Sequence, residues 1–281
     1  MMLGEISKYR VLRETDLGYV LEKVDSYDDT QYFLHRNESN YMTLKEEDVV
    51  DAFLYVDKKK RFALTCYLPK CTTQKGALCE CVSTTSQGSY FNIGISKDML
   101  MSSDDYRVDE RPLKGDCLPI KLRLRGNSIF AKLLNKEQIL ENHDGHKYEV
   151  NDKTFGYVYR ITKDGVNLVD EHYNIIFVHR NNLRKKHRLG EKIDCTITGV
   201  NEFDYYGTTI LSKEFMIQED SEVVLNYLKE HHGVMSYTEE TDPLIIDRVF
   251  HMSKLAFKRA LGKLYKEGLI IIEEKRIIMK R

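Results

Sequence analysis

Tryptophan is absent from this chain and proline occurs only four times. No apolar run approaches the ~18 residues needed to cross a bilayer. Without tryptophan, any stacking of flat ligands must fall to Tyr, Phe and His. A surplus of one charge is lacking too: 43 Lys and Arg stand against 44 Asp and Glu. Bulk charge therefore points to no polyanion, and a nucleic-acid partner would have to be recognised through local asymmetry. The start, Met1-Met2-Leu3-Gly4-Glu5, lacks a basic segment followed by an apolar one. No secretory signal is expected, and the expected place of action is the cytoplasm.

Chemistry-bearing motifs are also scarce. There is no Gly-rich phosphate loop of the Walker type and no His-Glu-x-x-His. The acidic clusters Glu46-Glu47-Asp48 and Asp104-Asp105 fall in expected loops. A nuclease would need carboxylates converging on a metal from several strands. No catalytic residue is assigned, and the chain reads as a non-enzyme. Cys66, Cys71, Cys79, Cys81, Cys117 and Cys195 read as reduced thiols rather than a disulfide framework. The first four fall within 16 residues, but their gaps of four, seven and one are not those of a zinc ribbon. Cys79 and Cys81 fit one face of a strand, and neither metal nor cofactor is expected.

What is present is a pattern that changes along the chain. Its 281 residues, 42% of them hydrophobic, suit two to four compact domains. Up to about residue 216, short apolar or alternating runs bounded by Gly, Asp, Asn and Ser read as half-buried strands. Beyond residue 220 the period becomes helical.

The β region repeats itself. Tyr32-Phe33-Leu34-His35-Arg36-Asn37 matches Ile176-Phe177-Val178-His179-Arg180-Asn181, and Met99-Leu100-Met101-Ser102 holds the corresponding place between them. Each unit then has a charged loop and a strand, and ends on Phe62-Ala63-Leu64, Ile129-Phe130-Ala131 or Thr209-Ile210-Leu211. Five short strands in about 65–70 residues is the size of a Greek-key OB barrel. One larger β sandwich is the alternative.

The expected fold is mostly β with a C-terminal α/β part: three tandem five-stranded barrels, then a winged helix-turn-helix. The expected domains are 1–66, 67–134, a connecting helix and linker over 135–147, 148–217, and 218–281. In the last, Val223, Val224, Tyr227 and Leu228 form the stripe of a first helix ending before Gly233. Pro243 opens a second helix that runs to Phe250. Ser253 caps a third, which buries Phe257, Leu261 and Leu264. Leu269 to Ile272 and Lys275 to Met279 make a terminal hairpin.

Single-stranded nucleic acid needs π faces for bases and cations for phosphates. In the third unit, with Val158 and Ile161 in the core, alternation turns Tyr157 and Tyr159 outward beside Arg160. Phe177 and His179 share a parity on the neighbouring strand. Arg180, Arg184, Lys185, Lys186 and Arg188 follow, within a stretch of residues 180–192 that holds six Lys and Arg against one Glu. This predicts a stacking strip beside a phosphate rail; the plainer reading is a solvated loop with surface tyrosines. The first unit, with 10 basic against 13 acidic residues over 1–64, is a poorer polyanion surface. Residues 251–281 hold nine Lys and Arg against three Glu. Arg259, Lys263 and Lys266 are expected on one face of the third helix, with Lys254 and Lys258 near its N-terminal end.

Met252-Ser253-Lys254-Leu255-Ala256-Phe257-Lys258-Arg259-Ala260-Leu261-Gly262-Lys263-Leu264-Tyr265-Lys266, coming after such repeats, resembles the conserved virulence factor B family of low-GC Gram-positive bacteria. The resemblance implies S1 RNA-binding domains before a winged helix, RNA binding that affects virulence-gene expression, and no catalytic activity. S1 domains place aromatics around a second-strand Asp-Phe-Gly-Ala-Phe-Val and a His on the third strand. Here the middle copy keeps Tyr90 but has Ser102 at the His position. The third copy, Lys163-Asp164-Gly165-Val166-Asn167-Leu168, lacks both aromatics but keeps His179. The first has Asp16-Leu17-Gly18-Tyr19-Val20-Leu21 with His35. The expected function is single-stranded RNA binding in post-transcriptional control. A DNA-binding transcription regulator and a ribosome- or ribonuclease-associated factor are the alternatives. Neither a membrane nor a small-molecule substrate is expected.

Overall fold

A computed structural model describes residues 3–24, 30–183, 185–201, 204–210 and 213–280; the side chains of 213–216, 218 and 219 lie outside the described set. The chain divides into two compact units, Met1–Thr209 and Ile210–Arg281. No described helix is long and apolar enough to cross a membrane.

The first unit contains three five-stranded sheets. β1 (Ile6–Thr15), β2 (Gly18–Lys23), β3 (Gln31–His35), β4 (Val49–Val56) and β5 (Phe62–Thr65) close into a barrel of order β1-β2-β3-β5-β4. β11 (Lys153–Ile161), β12 (Gly165–Val169), β13 (Ile175–His179), β14 (Lys192–Val200) and β15 (Tyr205–Thr208) close in the same order. In both, parallel pairing of the third and fifth strands shuts the barrel.

The middle copy, β6 (Ala77–Thr85), β7 (Gly88–Asn92), β8 (Met99–Ser102), β9 (Cys117–Arg125) and β10 (Ser128–Leu133), has the order β10-β9-β6-β7-β8. Its four-residue β8 forms no ladder with β10, so the ring stays open in hydrogen bonds. α1 (Lys136–Leu140) connects it to the third barrel, capped by Asn135 and Gln138 in a reciprocal box.

The three sheets are one design used three times. The first strand of each carries a β-bulge at the same place, at Leu12, Val82 and Tyr159. The second strand of each begins with a glycine that crosses the third strand closely. A Cβ on Gly18, Gly88 or Gly165 would stand 2.1, 2.0 or 2.2 Å from a third-strand carbonyl oxygen. The third strand ends in a side-chain cap: His35 Nδ1 accepts from Asn37 N–H, His179 Nδ1 from Asn181 N–H, and Ser102 Oγ from Asp104 N–H. The recurring Phe-x-His-Arg-Asn is thus first of all a turn signal.

The first barrel has its own core around Tyr9, Tyr19, Leu21, Leu34 and Leu54. The middle and third share one continuous core, from Cys79, Phe91 and Ile120 to Val158, Leu168 and Ile176. Cys79 and Cys81 are both fully buried on one face of β6. Two barrels with a common core are held in a fixed relation, because separating them would expose its apolar surface at ~25 cal/mol per Å².

The second unit is a winged helix. α2 (Lys213–Glu230) runs across the expected boundary at 217/218. β16 (Val234–Met235), α3 (Pro243–Phe250), α4 (Lys254–Lys266), β17 (Ile270–Glu273) and β18 (Arg276–Met279) follow, with sheet order β16-β18-β17. Asp242 caps α3 with Pro243 in its first turn, and Ser253 Oγ accepts from Ala256 N–H to cap α4. Phe250, Phe257, Leu261 and Leu264 fill the core.

Candidate nucleic-acid interface

Strand register lays one row of side chains across the third barrel. Arg160 stands opposite Asn167, Asn167 opposite Phe177, Phe177 opposite Tyr206, and Tyr206 opposite Gly199. Directly opposed residues share a face of the sheet. Arg160 is exposed, Asn167 and Phe177 are half-buried, and Tyr206 is 46% exposed. The Phe177 ring meets Tyr206 edge-on at 6.4 Å and His179 at 6.4 Å, so three rings cluster on this face. A band of one guanidinium, one amide and three rings can stack bases and hydrogen-bond their edges.

Tyr206 was not read from the sequence. The last strand of this unit was expected at 209–211; it lies at Tyr205–Thr208 instead. The Asn201 N–H donates to the Asp204 carbonyl at 2.8 Å, and the strand starts directly after, at Tyr205. Thr209 and Ile210 follow the strand, and Leu211 lies outside the described residues.

The two tyrosines expected to face outward do not form the platform. The bulge inserts one residue into β11, so Val158 and Tyr159 are both buried, Tyr159 at 4% exposure. Burial pushes its phenol up to about 12. Tyr157 is half-buried against the core shared with the middle barrel. Burial first, then the neighbouring Cys117 thiol, raise its phenol above the ordinary value.

The basic segment after β13 divides into free and committed cations. Arg180 and Lys186 are exposed and form no ion pair among the described residues. Lys185 is exposed and pairs with Glu191 at 2.8 Å. Burial would push the Glu191 carboxyl up, but hydrogen bonds from Lys185 and the Arg188 N–H, with the charge of His187, hold it below its ordinary value. Arg184 lies outside the described residues. Arg188 was expected on the rail and is not there. Its Nε and NH2 both donate at 2.8 Å to Asp116, a residue of the middle barrel that is 5% exposed. That guanidinium locks two barrels together.

The same row can be traced in the other copies. In the middle one it runs Ser83, Tyr90, Leu100. Tyr90 is half-buried and donates to Gln87 Oε1 at 3.3 Å, with no cation in the row. In the first it runs Arg13, Val20, Phe33, Ala63, Tyr55, and Phe33 meets His35 edge-on at 6.3 Å.

In the winged helix, the expected basic face of α4 is split. Arg259 is half-buried; its charge acts on the Asp220 carboxyl of α2, and its buried Nε has no hydrogen-bond partner among the described residues. The Lys263 side chain is 24% exposed and lies 3.7 Å from Glu267. α2 packs along this side of α4, with Ser221 Oγ reaching the Ala260 carbonyl at 3.5 Å. Lys258 is exposed and paired with Glu239 at 2.9 Å, which raises its ammonium above the ordinary value. Lys254 is half-buried and Lys266 exposed. The outward side of the helix includes Leu255 at 64% and Tyr265 at 60% exposure.

Comparison with known proteins gives two domain matches: an S1 domain over residues 3–67 and a CvfB-like winged helix domain over residues 222–279. The chain is 29% identical to the uncharacterized protein YitL of Bacillus subtilis, over 97% of this chain and 92% of that one. It is 29% identical to conserved virulence factor B of Staphylococcus saprophyticus, over 86% and 83%. A crystal structure of a multidomain protein with nucleic acid binding domains from Streptococcus pneumoniae superposes with a TM-score of 0.65 at 24% identity. It covers 99% of this chain and 98% of that one, a likeness of fold.

Proposed function

We propose, for a chain that resembles the conserved virulence factor B family over most of its length, that it is a non-enzymatic cytoplasmic binder of single-stranded RNA acting in post-transcriptional control. The observation that carries this reading is the row Arg160–Asn167–Phe177–Tyr206, with His179 on its border and Arg180, Lys185 and Lys186 beyond. Rings on a barrel face beside exposed cations, of which Arg180 and Lys186 form no ion pair among the described residues, suit bases and phosphates of one strand. The S1 and winged-helix matches support a nucleic-acid partner. Duplex reading by α4 has less support, because Arg259 and Lys263 are half-buried and the outward side of the helix bears Leu255 and Tyr265.

The test is fluorescence anisotropy with single-stranded RNA, single-stranded DNA and duplex DNA at one fixed salt concentration. RNA is expected to bind best. Phe177→Ala and Tyr206→Ala should each cost about 1–3 kcal/mol with little change in salt slope. Arg180→Ala and Lys186→Ala should flatten the slope by about 0.7 per contact. Duplex DNA binding tighter than either single strand would refute the proposal.

A further inference from the structure

Beside the aromatic row lies a cleft of about 670 Å³ whose walls come from two different barrels. One wall is the loop between β11 and β12 together with the segment after β13, and contributes Lys163, Arg180, Lys185 and Lys186. The other is the Arg107–Glu110 turn that follows β8 in the middle barrel. Five cations line this space against two carboxylates, Asp109 and Glu110. Lys163, Arg180 and Lys186 form no ion pair among the described residues. Arg107 lies 3.7 Å from Glu110 with its side chain 80% exposed. Ile161 and Leu183 add apolar surface to the lining.

We infer that this cleft is a second nucleic-acid subsite, holding the backbone of an RNA strand as it leaves the aromatic row, with Arg107 of the middle barrel as one of its phosphate contacts. The inference rests on the proposed RNA reading and extends it to a second barrel. Continuity supports it: Arg180 lines the cleft and directly follows His179, which borders the row, while Gly165, opposite His179, lines the cleft too. A strand crossing the row toward this end meets the cleft next. Rigidity supports it as well. The Leu189 N–H donates to the Glu110 carbonyl at 3.0 Å, and the Cys117 N–H to the Gly190 carbonyl at 2.9 Å. With the Arg188–Asp116 pair, these bonds fix the Arg107 wall against the Lys163 wall before any ligand arrives. Cations held in place lose less freedom on binding than cations on a mobile loop.

The experiment measures affinity of the full chain for uniform single-stranded RNAs of about four and about twelve nucleotides, a span set by OB-fold site sizes. The short strand covers the row and the long one reaches the cleft. In the unsubstituted protein, affinity should rise with length. In Arg107→Ala and Lys163→Ala that gain should shrink by about three- to tenfold, and the salt slope for the long strand should flatten by about 0.7. Arg107→Lys keeps the charge and should keep most of the slope. An unchanged gain in both alanine variants, with Phe177→Ala still weakening both lengths, overturns the cleft and leaves the row standing. Absence of single-strand binding at either length overturns both. Polyglutamate of matched charge that competes as well as the long RNA would mark a general acidic-chain site, and overturns the RNA assignment of the cleft.

Discussion

Replacing Arg188 with alanine should damage the fold and spare the salt dependence of binding. The guanidinium makes two 2.8 Å bonds to Asp116, whose side chain is 6% exposed. Its NH1 also lies 3.6 Å from Glu191. Once the arginine is gone, the Asp116 carboxylate remains in a place largely closed to water, with the Leu113 N–H at 2.7 Å as a remaining donor. Removing one partner of a buried pair costs about 3–5 kcal/mol. Arg188 is itself 33% exposed, and that screening lowers the expected loss to about 2–3 kcal/mol. With an m-value of about 2–3 kcal/mol/M in urea, the barrel unit should unfold about 1 M earlier, followed by far-UV circular dichroism. Arg188→Lys should lose most of the same stability, since an ammonium cannot make the two-pronged contact. A cycle with Asp116→Ala should give about 1–3 kcal/mol of coupling. The reasoning fails if Arg188→Ala leaves the urea midpoint in place, or if it flattens the RNA salt slope as Lys186→Ala is expected to do. Either result would return Arg188 to the phosphate-contacting group.

Two glycines should respond in opposite directions to alanine. Gly165→Ala drives a methyl to 2.2 Å from the Val178 carbonyl and should cost about 1–3 kcal/mol by urea denaturation, whereas Gly262→Ala, inside α4 with open space around it, should gain about 0.5–1 kcal/mol. A neutral Gly165→Ala would mean that β12 and β13 are not so closely apposed. The linker after α1 should be held by a pH-dependent latch, because Asp144 Oδ2 lies 2.8 Å from His172 Nδ1 and the His146 and His172 rings stack at 4.1 Å. The hydrogen bond to Asp144 raises His172 above its ordinary 6.5, so its contribution is complete below that value and fades as pH rises through the raised one. The hydrogen bond from His172 lowers Asp144 from 3.8, so its contribution holds above 3.8 and is lost only in stronger acid. Hydrogen-exchange protection of residues 143–147 should therefore decline from mildly acidic to mildly alkaline pH and lose that dependence in His172→Asn; flat protection in the unsubstituted chain would refute the latch.

Features with local chemistry were legible in the sequence. Pro243 and Ser253 mark helix starts because a first-turn proline and a cap act within one turn. The threefold repeat is legible because each copy needs the same close glycine and the same third-strand cap. What escaped depends on residues far apart in sequence. Asp116 and Arg188 are 72 positions apart, so nothing in the local charge run separates that arginine from Lys186. The Tyr159 assignment failed because strict alternation was assumed through a bulge, and one extra residue reverses every side chain beyond it, whereas Tyr157, before the bulge, is taken up by packing on the core shared with the middle barrel. A signal for it was available. Val11-Leu12, Cys81-Val82 and Val158-Tyr159 are consecutive apolar pairs at the same place in each copy, where alternation predicts one residue in and one out.

Repetition of the scaffold does not give three equal surfaces, and the difference lies in where the cations are committed. Arg36 and Arg180 occupy the same position after the third-strand histidine. Arg36 donates to Glu14 Oε1 at 2.9 Å and the Thr15 carbonyl at 3.1 Å, and covers the Tyr19 ring at 5.4 Å. Its charge is largely answered within the first barrel. Glu14 has Ile161 as its counterpart, two residues past the bulge, so the third barrel has no carboxylate there and Arg180 is left unpaired among the described residues. A cation already satisfied by its own fold gains little from a phosphate, because binding would exchange one ion pair for another. Between two rows of like outline, that exchange of Glu for Ile is one reason Arg36 is committed within its own barrel while Arg180 stays open to a ligand.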